Sequence, residues 1–178
     1  MSKIFIIEGA DNTGKTCLAK FLAQQFRPAV YFHFDKTENL VQAGAMHDYH
    51  YSVLKNMVWV TEHLNLRVVL DRGWLSELVY GQAIGPVERL ANFRHQSFQE
   101  LLKDVDVTYI YAKCLSSRER HVKEEHDHQK YSLLDYDKIV LGYDRLFEAL
   151  GRSPANKIVT YNMDEQGAEL SKFAASLV

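Results

Sequence analysis

The sequence predicts a three-layer α/β fold, a five-stranded parallel sheet with helices on both faces and a short lid. Three observations predict it. Five short apolar runs recur along the chain, mostly continuous rather than alternating, as strands buried on both faces require. Helical patterns fill the gaps between them, which implies right-handed crossovers and a parallel sheet. The length, 178 residues, suits one domain of roughly 150 residues with an insertion.

The elements follow in order. Ile4 to Ile7 is the first strand. Leu18, Phe21, Leu22 and Phe26 then keep the helical period, and Pro28 stops that helix. Val30 to Phe34 is the second strand, and Met46, Tyr49, Val53, Met57, Val60 and Leu64 form a long helical stripe behind it. Val68 to Leu70 is the third strand. Helices over Leu75 to Ile84 and Val87 to Val105 follow it, broken at Gly85-Pro86. Val107 to Tyr111 is the fourth strand. Its helix carries Ile139, Val140, Tyr143, Leu146, Phe147 and Leu150 and ends at Gly151. Ile158 to Tyr161 is the fifth strand, leading to Leu170, Phe173, Ala174 and Leu177. Between Ser116 and Lys130 only Val122 is apolar. That stretch is too polar for core and reads as a mobile lid, residues 115–132, within a single domain.

Composition bounds the function. Apolar residues make up 47% and charged residues 25%, which excludes disordered, collagen-like and membrane-embedded chains. Lys plus Arg total 21 against 23 Asp plus Glu, a net charge of −2. A protein that coats nucleic acid is usually basic, so phosphate must be met locally, and no stable nucleic-acid partner is expected. Cys17 and Cys114 make neither a disulfide framework nor a C-x-x-C pattern, which fits a reduced, cytoplasmic compartment. No apolar run approaches the ~20 residues of a membrane span. Met1-Ser2-Lys3 ahead of the first strand is too short for a signal peptide.

The strongest chemical signal is Gly9-Ala10-Asp11-Asn12-Thr13-Gly14-Lys15-Thr16, which fits G-x-x-x-x-G-K-[ST] without mismatch. Glycines let the backbone turn tightly and bring its N–H groups against phosphate oxygens. Lys15 suits the β/γ-phosphates and the Thr16 hydroxyl suits Mg²⁺. The helix opening near Lys15 presents its positive end to an anion. Asp11, Asn12, Thr13, Gly14, Lys15, Thr16 and Cys17 are therefore the candidate ATP contacts. The third strand ends in Asp71-Arg72. An Asp there can hold the Mg²⁺ shell beside Thr16, and Arg72 would neutralise phosphate charge. Alone, the dipeptide would read as a surface ion pair.

Two motifs carry a family resemblance. Glu8-Gly9-x-Asp11-x-x-Gly14-Lys15-Thr16 resembles the thymidylate kinase form of the P-loop. Asp71-Arg72-x-x-x-Ser76-x-x-Val79-Tyr80 is similar to that family's Asp-Arg-Tyr-x-x-Ser-x-x-Ala-Tyr signature. The resemblance implies a P-loop kinase fold and ATP with Mg²⁺. It also implies phosphorylation of a (deoxy)nucleoside monophosphate, dTMP or a related pyrimidine nucleotide. It assigns Asp11 to the acceptor's sugar, and Asp71 and Arg72 to magnesium and the reacting phosphates. Its members are often dimers, so a homodimer is compatible with it.

The departures matter. Asn12 stands where one branch of the family has a catalytic Arg, so the Arg would come from the lid. Gly73 replaces a Tyr or His, and Gly81 a Gln. Some phage-encoded kinases that act on modified pyrimidine deoxynucleotides show a similar Asp-Arg-x-Trp-Leu-Ser-Glu pattern, which would place the chain in a host cytoplasm.

The lid stretch carries Arg118, Arg120, Lys123 and Lys130 among acidic residues. Arg118 and Arg120 are the candidates for closing over the phosphates. The alternative is a solvated mixed-charge helix. On the acceptor side, Lys36 lies where the family has Phe-Pro-x-Arg. Tyr49 and Tyr51 are candidates for stacking on a base, Tyr49 alternatively being part of the helix stripe. Arg94 is in phase with Leu90, Phe98 and Leu101, so it should be buried against an anion, in the acceptor cleft or in a structural pair. Adenine, by analogy, would rest on the loop from Asn162 to Glu165. His121, His126 and His128 cluster, but without the spacing of a metal site. Trp59 and Trp74 read as packing residues. Three other readings stay open: a deoxynucleoside kinase, which would need a carboxylate base; a kinase acting on modified DNA; and a non-catalytic nucleotide-binding switch.

Overall fold

The computed structural model describes residues 3–34, 45–85, 94–123 and 132–177. Five strands form one parallel sheet: β1 (Ile4–Glu8), β2 (Ala29–His33), β3 (Arg67–Asp71), β4 (Val107–Lys113) and β5 (Lys157–Asn162). Their order is β2-β3-β1-β4-β5. The chain runs from β1 to one edge and later crosses back to the other side. The carboxyl ends of β1 and β3 thus flank the crevice where open sheets of this kind bind ligands.

Period-two alternation splits each central strand between two cores. Ile4 and Ile6, with Val68 and Leu70, pack under α2 (Met46–His63), α3 (Trp74–Ala83), α4 (His95–Leu102) and α6 (Leu133–Gly151). Phe5, Ile7, Val69 and Ile110 pack under α1 (Lys15–Gln25) and the last helix, α8 (Leu170–Ser176). β1 is buried along its whole length, so its apolar run is continuous because both faces are covered. The remaining helices among the described residues are α5 (Ser117–Lys123), α7 (Met163–Gln166) and a 3₁₀ turn over Gly167–Glu169.

Several expectations change. Residues 116–123 are not simply too polar to pack. Ser117 and His121 of α5 are buried, and the His121 ring stacks on Tyr136 of α6 at 4.6 Å. Polar side chains on one helical face can fill such a contact when a ring lies opposite. Arg94 is exposed rather than buried. Its backbone is not helical (φ −98°, ψ 85°) and α4 begins only at His95, so the helical phase read across Arg94 does not apply. Trp59 is half exposed, stacked on His63 one turn later, and is not a core residue. Trp74 is core, stacked on Phe98 and donating through Nε1 to His95. The loop read after β5 is the helical turn α7, capped by the Asn162 side chain. Lys36, His126, His128 and Lys130 lie outside the described residues.

Candidate active site

The loop between β1 and α1 is shaped by its backbone. Gly9 has φ +152°, and a Cβ there would lie 2.2 Å from the Ala112 carbonyl oxygen of β4. Only glycine lets the loop pass that close. Asn12 and Gly14 also have positive φ, 62° and 77°. Such left-handed residues turn successive N–H groups toward one concavity. The first α1 bond runs from Leu18 N to Gly14 O. The amides of Lys15, Thr16 and Cys17 are therefore first-turn donors without a helical partner. No acidic residue lies in that first turn, so the helix end keeps its positive character for an anion.

Lys15 is buried, and its ammonium donates to the Ala10 carbonyl and, at 3.4 Å, to Thr13 Oγ1. Thr13 in turn donates to Ala10 O at 2.9 Å. Burial, with Arg72 nearby, pulls the Lys15 pKa down to about 7, against Asp11, Asp71 and Glu8, which favour its charge. A phosphate oxygen offers this ammonium a stronger, charged acceptor than a carbonyl. Thr16 and Cys17 are exposed at the helix start.

Asp71 ends β3 fully buried. Its Oδ2 accepts from His33 Nδ1 at 2.8 Å and from the Tyr31 hydroxyl at 3.1 Å. Its Oδ1 is buried and has no hydrogen-bond partner among the described residues. A carboxylate oxygen left bare in the interior is costly, and a hard cation or its water would satisfy it. Asp71 therefore could serve a Mg²⁺ ion, with the exposed Thr16 hydroxyl the other candidate ligand. No group of three His, Cys, Asp or Glu among the described residues could hold a metal by itself.

Arg72 sits at φ +71°, a left-handed strain that a non-glycine residue bears at a cost of about 1–3 kcal/mol. Its N–H is fixed to Ile7 O at 2.9 Å. The conformation turns its guanidinium onto the Asp11 carboxylate and over the Tyr80 ring, 5.6 Å from the centroid. The Asp71-Arg72 pair is thus divided. Arg72 pairs across to the phosphate loop, while Asp71 pairs toward β2.

Behind the loop lies a buried carboxylate that motif spacing alone did not single out as functional. Glu8 accepts from Ser76 N at 3.2 Å, from Ser76 Oγ, and from the Tyr143 hydroxyl at 3.2 Å. Burial pushes its pKa up to about 7, against the Ser76 hydrogen bonds and the charges of Arg72 and Lys15. Glu8 thus ties the end of β1 to the start of α3 and to α6. The same helix α6 reaches the loop through Tyr136, whose hydroxyl donates to Asp11 O at 3.1 Å. The missed residues had one sequence signal, polar groups at or near strand ends: Tyr31 and His33 in β2, Glu8 in β1.

The remaining candidates separate. Arg118 is exposed and forms a two-point pair with Asp137 of α6, at 3.0 and 3.3 Å. Arg120 points the other way. Its guanidinium lies 3.2 Å from the Met163 sulfur and 3.8 Å from Asp164. The same sulfur lies 2.7 Å from where a Gly14 Cβ would be, so Arg120 reaches the edge of the phosphate loop. Asp164 also accepts from the Leu115 and Ser116 amides, joining the loop after β4 to α7. Tyr49 packs edge-on against Phe34 at 6.0 Å and against His50, as part of the α2 stripe. Tyr51 lies against His47 and Phe98. The Arg94 amide donates to His47. No helix among the described residues is long and apolar enough to cross a membrane.

No family model matches the chain. Over 106 residues it is 28% identical to a protein of Acidianus bottle-shaped virus (isolate Italy/Pozzuoli) named "Putative thymidylate kinase". The match covers 56% of this chain and 60% of that relative, less than two thirds of its length. Among solved structures, the fold is similar to the Bacillus subtilis YorR protein in complex with phosphorylated GDP. There the TM-score is 0.70 and identity 15%, over 98% of this chain and 92% of that one. It is also similar to thymidylate kinase from Candida albicans, with TM-score 0.51 and 14% identity over 99% and 89% of the two chains. Deoxyadenosine kinase from M. mycoides with bound dCTP gives TM-score 0.52 and 12% identity over 97% and 99%. The fold is that of the P-loop nucleotide kinases, and the similarity to thymidylate kinases read from two motifs extends to a named relative.

Proposed function

We propose that this chain transfers the γ-phosphoryl group of ATP to a (deoxy)nucleoside monophosphate, with dTMP or a related pyrimidine deoxynucleotide as acceptor. The observation that carries the reading is the convergence of three features at the ends of β1 and β3. These are a complete phosphate loop, a buried Asp71 with one bare oxygen, and an Arg72 bent back onto that loop.

The loop amides and Lys15 would hold the β- and γ-phosphates. Thr16 and Asp71 would hold Mg²⁺, which when bound draws charge from the phosphate oxygens. Arg72, freed from Asp11, would meet the transferred group, and Asp11 would turn to the acceptor's sugar. An acceptor phosphate oxygen is already largely ionised near pH 7, so in-line attack needs positioning and charge neutralisation rather than a strong base. Arg120 is the better placed of the two lid arginines, because it already lies beside Met163 and the Gly14 edge of the loop. In the resting arrangement Arg118 is committed to Asp137. By the same resemblance, Lys36 would meet the acceptor's phosphate.

The test mixes purified protein and ATP-Mg²⁺ with separate nucleosides, nucleoside monophosphates and oligonucleotides, and follows ADP and phosphorylated product. Turnover with a pyrimidine deoxynucleoside monophosphate supports the reading. Turnover only with a nucleoside or with DNA transfers the site to a hydroxyl acceptor. No acceptor-dependent turnover sinks the kinase reading.

A further inference from the structure

We infer that Tyr31 and His33, on the edge strand β2, are positioning residues that aim Asp71 at the cation accompanying ATP. The inference rests on the kinase reading and goes beyond it, because neither residue belongs to the phosphate loop or to the Asp71-Arg72 motif.

The geometry follows from strand register. His33 pairs in register with Asp71, and Tyr31 with Val69. Residues two apart share a face of the sheet, so both side chains come from β2 to the same side. Each places a donor on one carboxylate atom, Asp71 Oδ2, at 2.8 and 3.1 Å. With the carboxylate oxygen as acceptor, His33 Nδ1 is the donor in this bond. Two donors on Oδ2 fix the carboxylate's rotation and leave Oδ1 as its other face. That oxygen is buried and makes no hydrogen bond among the described residues. Lys15 feels the Asp71 charge, so the carboxylate belongs electrostatically to the phosphate loop. The ladder between β2 and β3 is already held by backbone pairing over five residue pairs. The two side-chain bonds are therefore surplus to strand pairing, and their shared target is one face of a prospective cation ligand. Ligating carboxylates are commonly oriented by such outer hydrogen bonds, whose removal costs about 10- to 100-fold in metal affinity.

The experiment measures ATP binding by calorimetry with Mg²⁺ and again with excess chelator, for wild type, Tyr31→Phe, His33→Asn, His33→Ala, the Tyr31→Phe/His33→Ala double variant and Asp71→Asn. Circular dichroism and melting curves accompany each. Tyr31→Phe removes only a hydroxyl, so it tests the inference even if the double variant fails to fold. His33→Asn retains a donor near the Nδ1 position. The double variant should lose about tenfold of the Mg²⁺-dependent gain in affinity, and each donor-deleting single variant part of it. Binding in chelator should be unchanged, His33→Asn should stay near wild type, and Asp71→Asn should set the limit. Equal weakening with and without Mg²⁺, or no change in Tyr31→Phe and His33→Ala, overturns the inference and leaves the kinase reading standing. If wild-type protein binds ATP no better with Mg²⁺ than without, the kinase reading itself fails.

Discussion

At the carboxyl ends of β1 and β3, Glu8, Lys15 and Asp71 lie out of water, each in its own set of hydrogen bonds. On α5 the charged side chains lie at the surface, each arginine held by one helix partner. Glu8, Lys15 and Asp71 are all buried, and each is held by two or more neighbours. Arg118 and Arg120 are exposed over about half of their side chains and lean on Asp137, and on Met163 and Asp164. Exposed pairs contribute little to stability and exchange readily. Buried groups hold their positions because any rearrangement strands a polar atom. The phosphate-loop side is thus preorganised and the α5 side is releasable, as the proposed phosphoryl transfer would require of a site that must both fix and admit its nucleotides.

The largest test of this contrast is Lys15→Ala. It should lower acceptor-dependent ADP formation about a thousandfold while the far-ultraviolet spectrum is unchanged. Near-normal turnover would mean the preorganised loop is not the phosphate site. Next comes Arg120→Ala against Arg118→Ala. The first should reduce kcat about a hundredfold with little change in KM, and the second only a few-fold. Equal effects would erase the distinction drawn from Met163. Gly9→Ala should destabilise the fold by about 2–3 kcal/mol in urea titration, since its Cβ meets the Ala112 carbonyl and its φ is positive.

A smaller effect concerns pH. Glu8 is raised from 4.5 to about 7, so the folded state holds this proton more tightly than the unfolded state. Its contribution is full below pH 4.5 and is lost as pH rises through about 7. Lys15, lowered from 10.5 to about 7, acts in the opposite sense, and stability rises over the window above 7. Glu8→Gln should flatten the fall between pH 4.5 and 7 in melting curves, and an unchanged fall would remove Glu8 as its source. The smallest change is expected for Asp137→Asn. It frees Arg118 and should leave the melting temperature within about 2 °C. A larger drop would show that the α5 side is not releasable after all.

Much of this was legible in the chain. The five apolar runs lie on the five observed strands, within a residue or two at their ends; the central three are buried, as strands covered on both faces are. The phosphate loop was legible because its glycines answer to backbone geometry that a motif records directly. Arg94 was misplaced because helical phase says which residues share a face, but not where a helix begins. Trp59 was misplaced because a large ring was read as packing although it lies off the α2 stripe. Buried polar residues such as His121 and Glu8 are harder still, because polarity alone suggests solvent and only a partner from elsewhere in the chain justifies burial.

By itself the sequence determined the strand and helix order, the phosphate loop with Lys15 and Thr16, and the strand-end Asp71-Arg72. All of these follow from local pattern and short-range spacing. Only the tertiary structure decided how those residues are used. Arg72 turns onto Asp11, 61 positions away. Tyr143 reaches Glu8 across 135 positions, and His33 and Tyr31 converge on one oxygen of Asp71. The physical reason is that hydrogen bonds and burial are properties of pairs. A sequence fixes each member, but the distance between members exists only once the sheet has set its strand order and register.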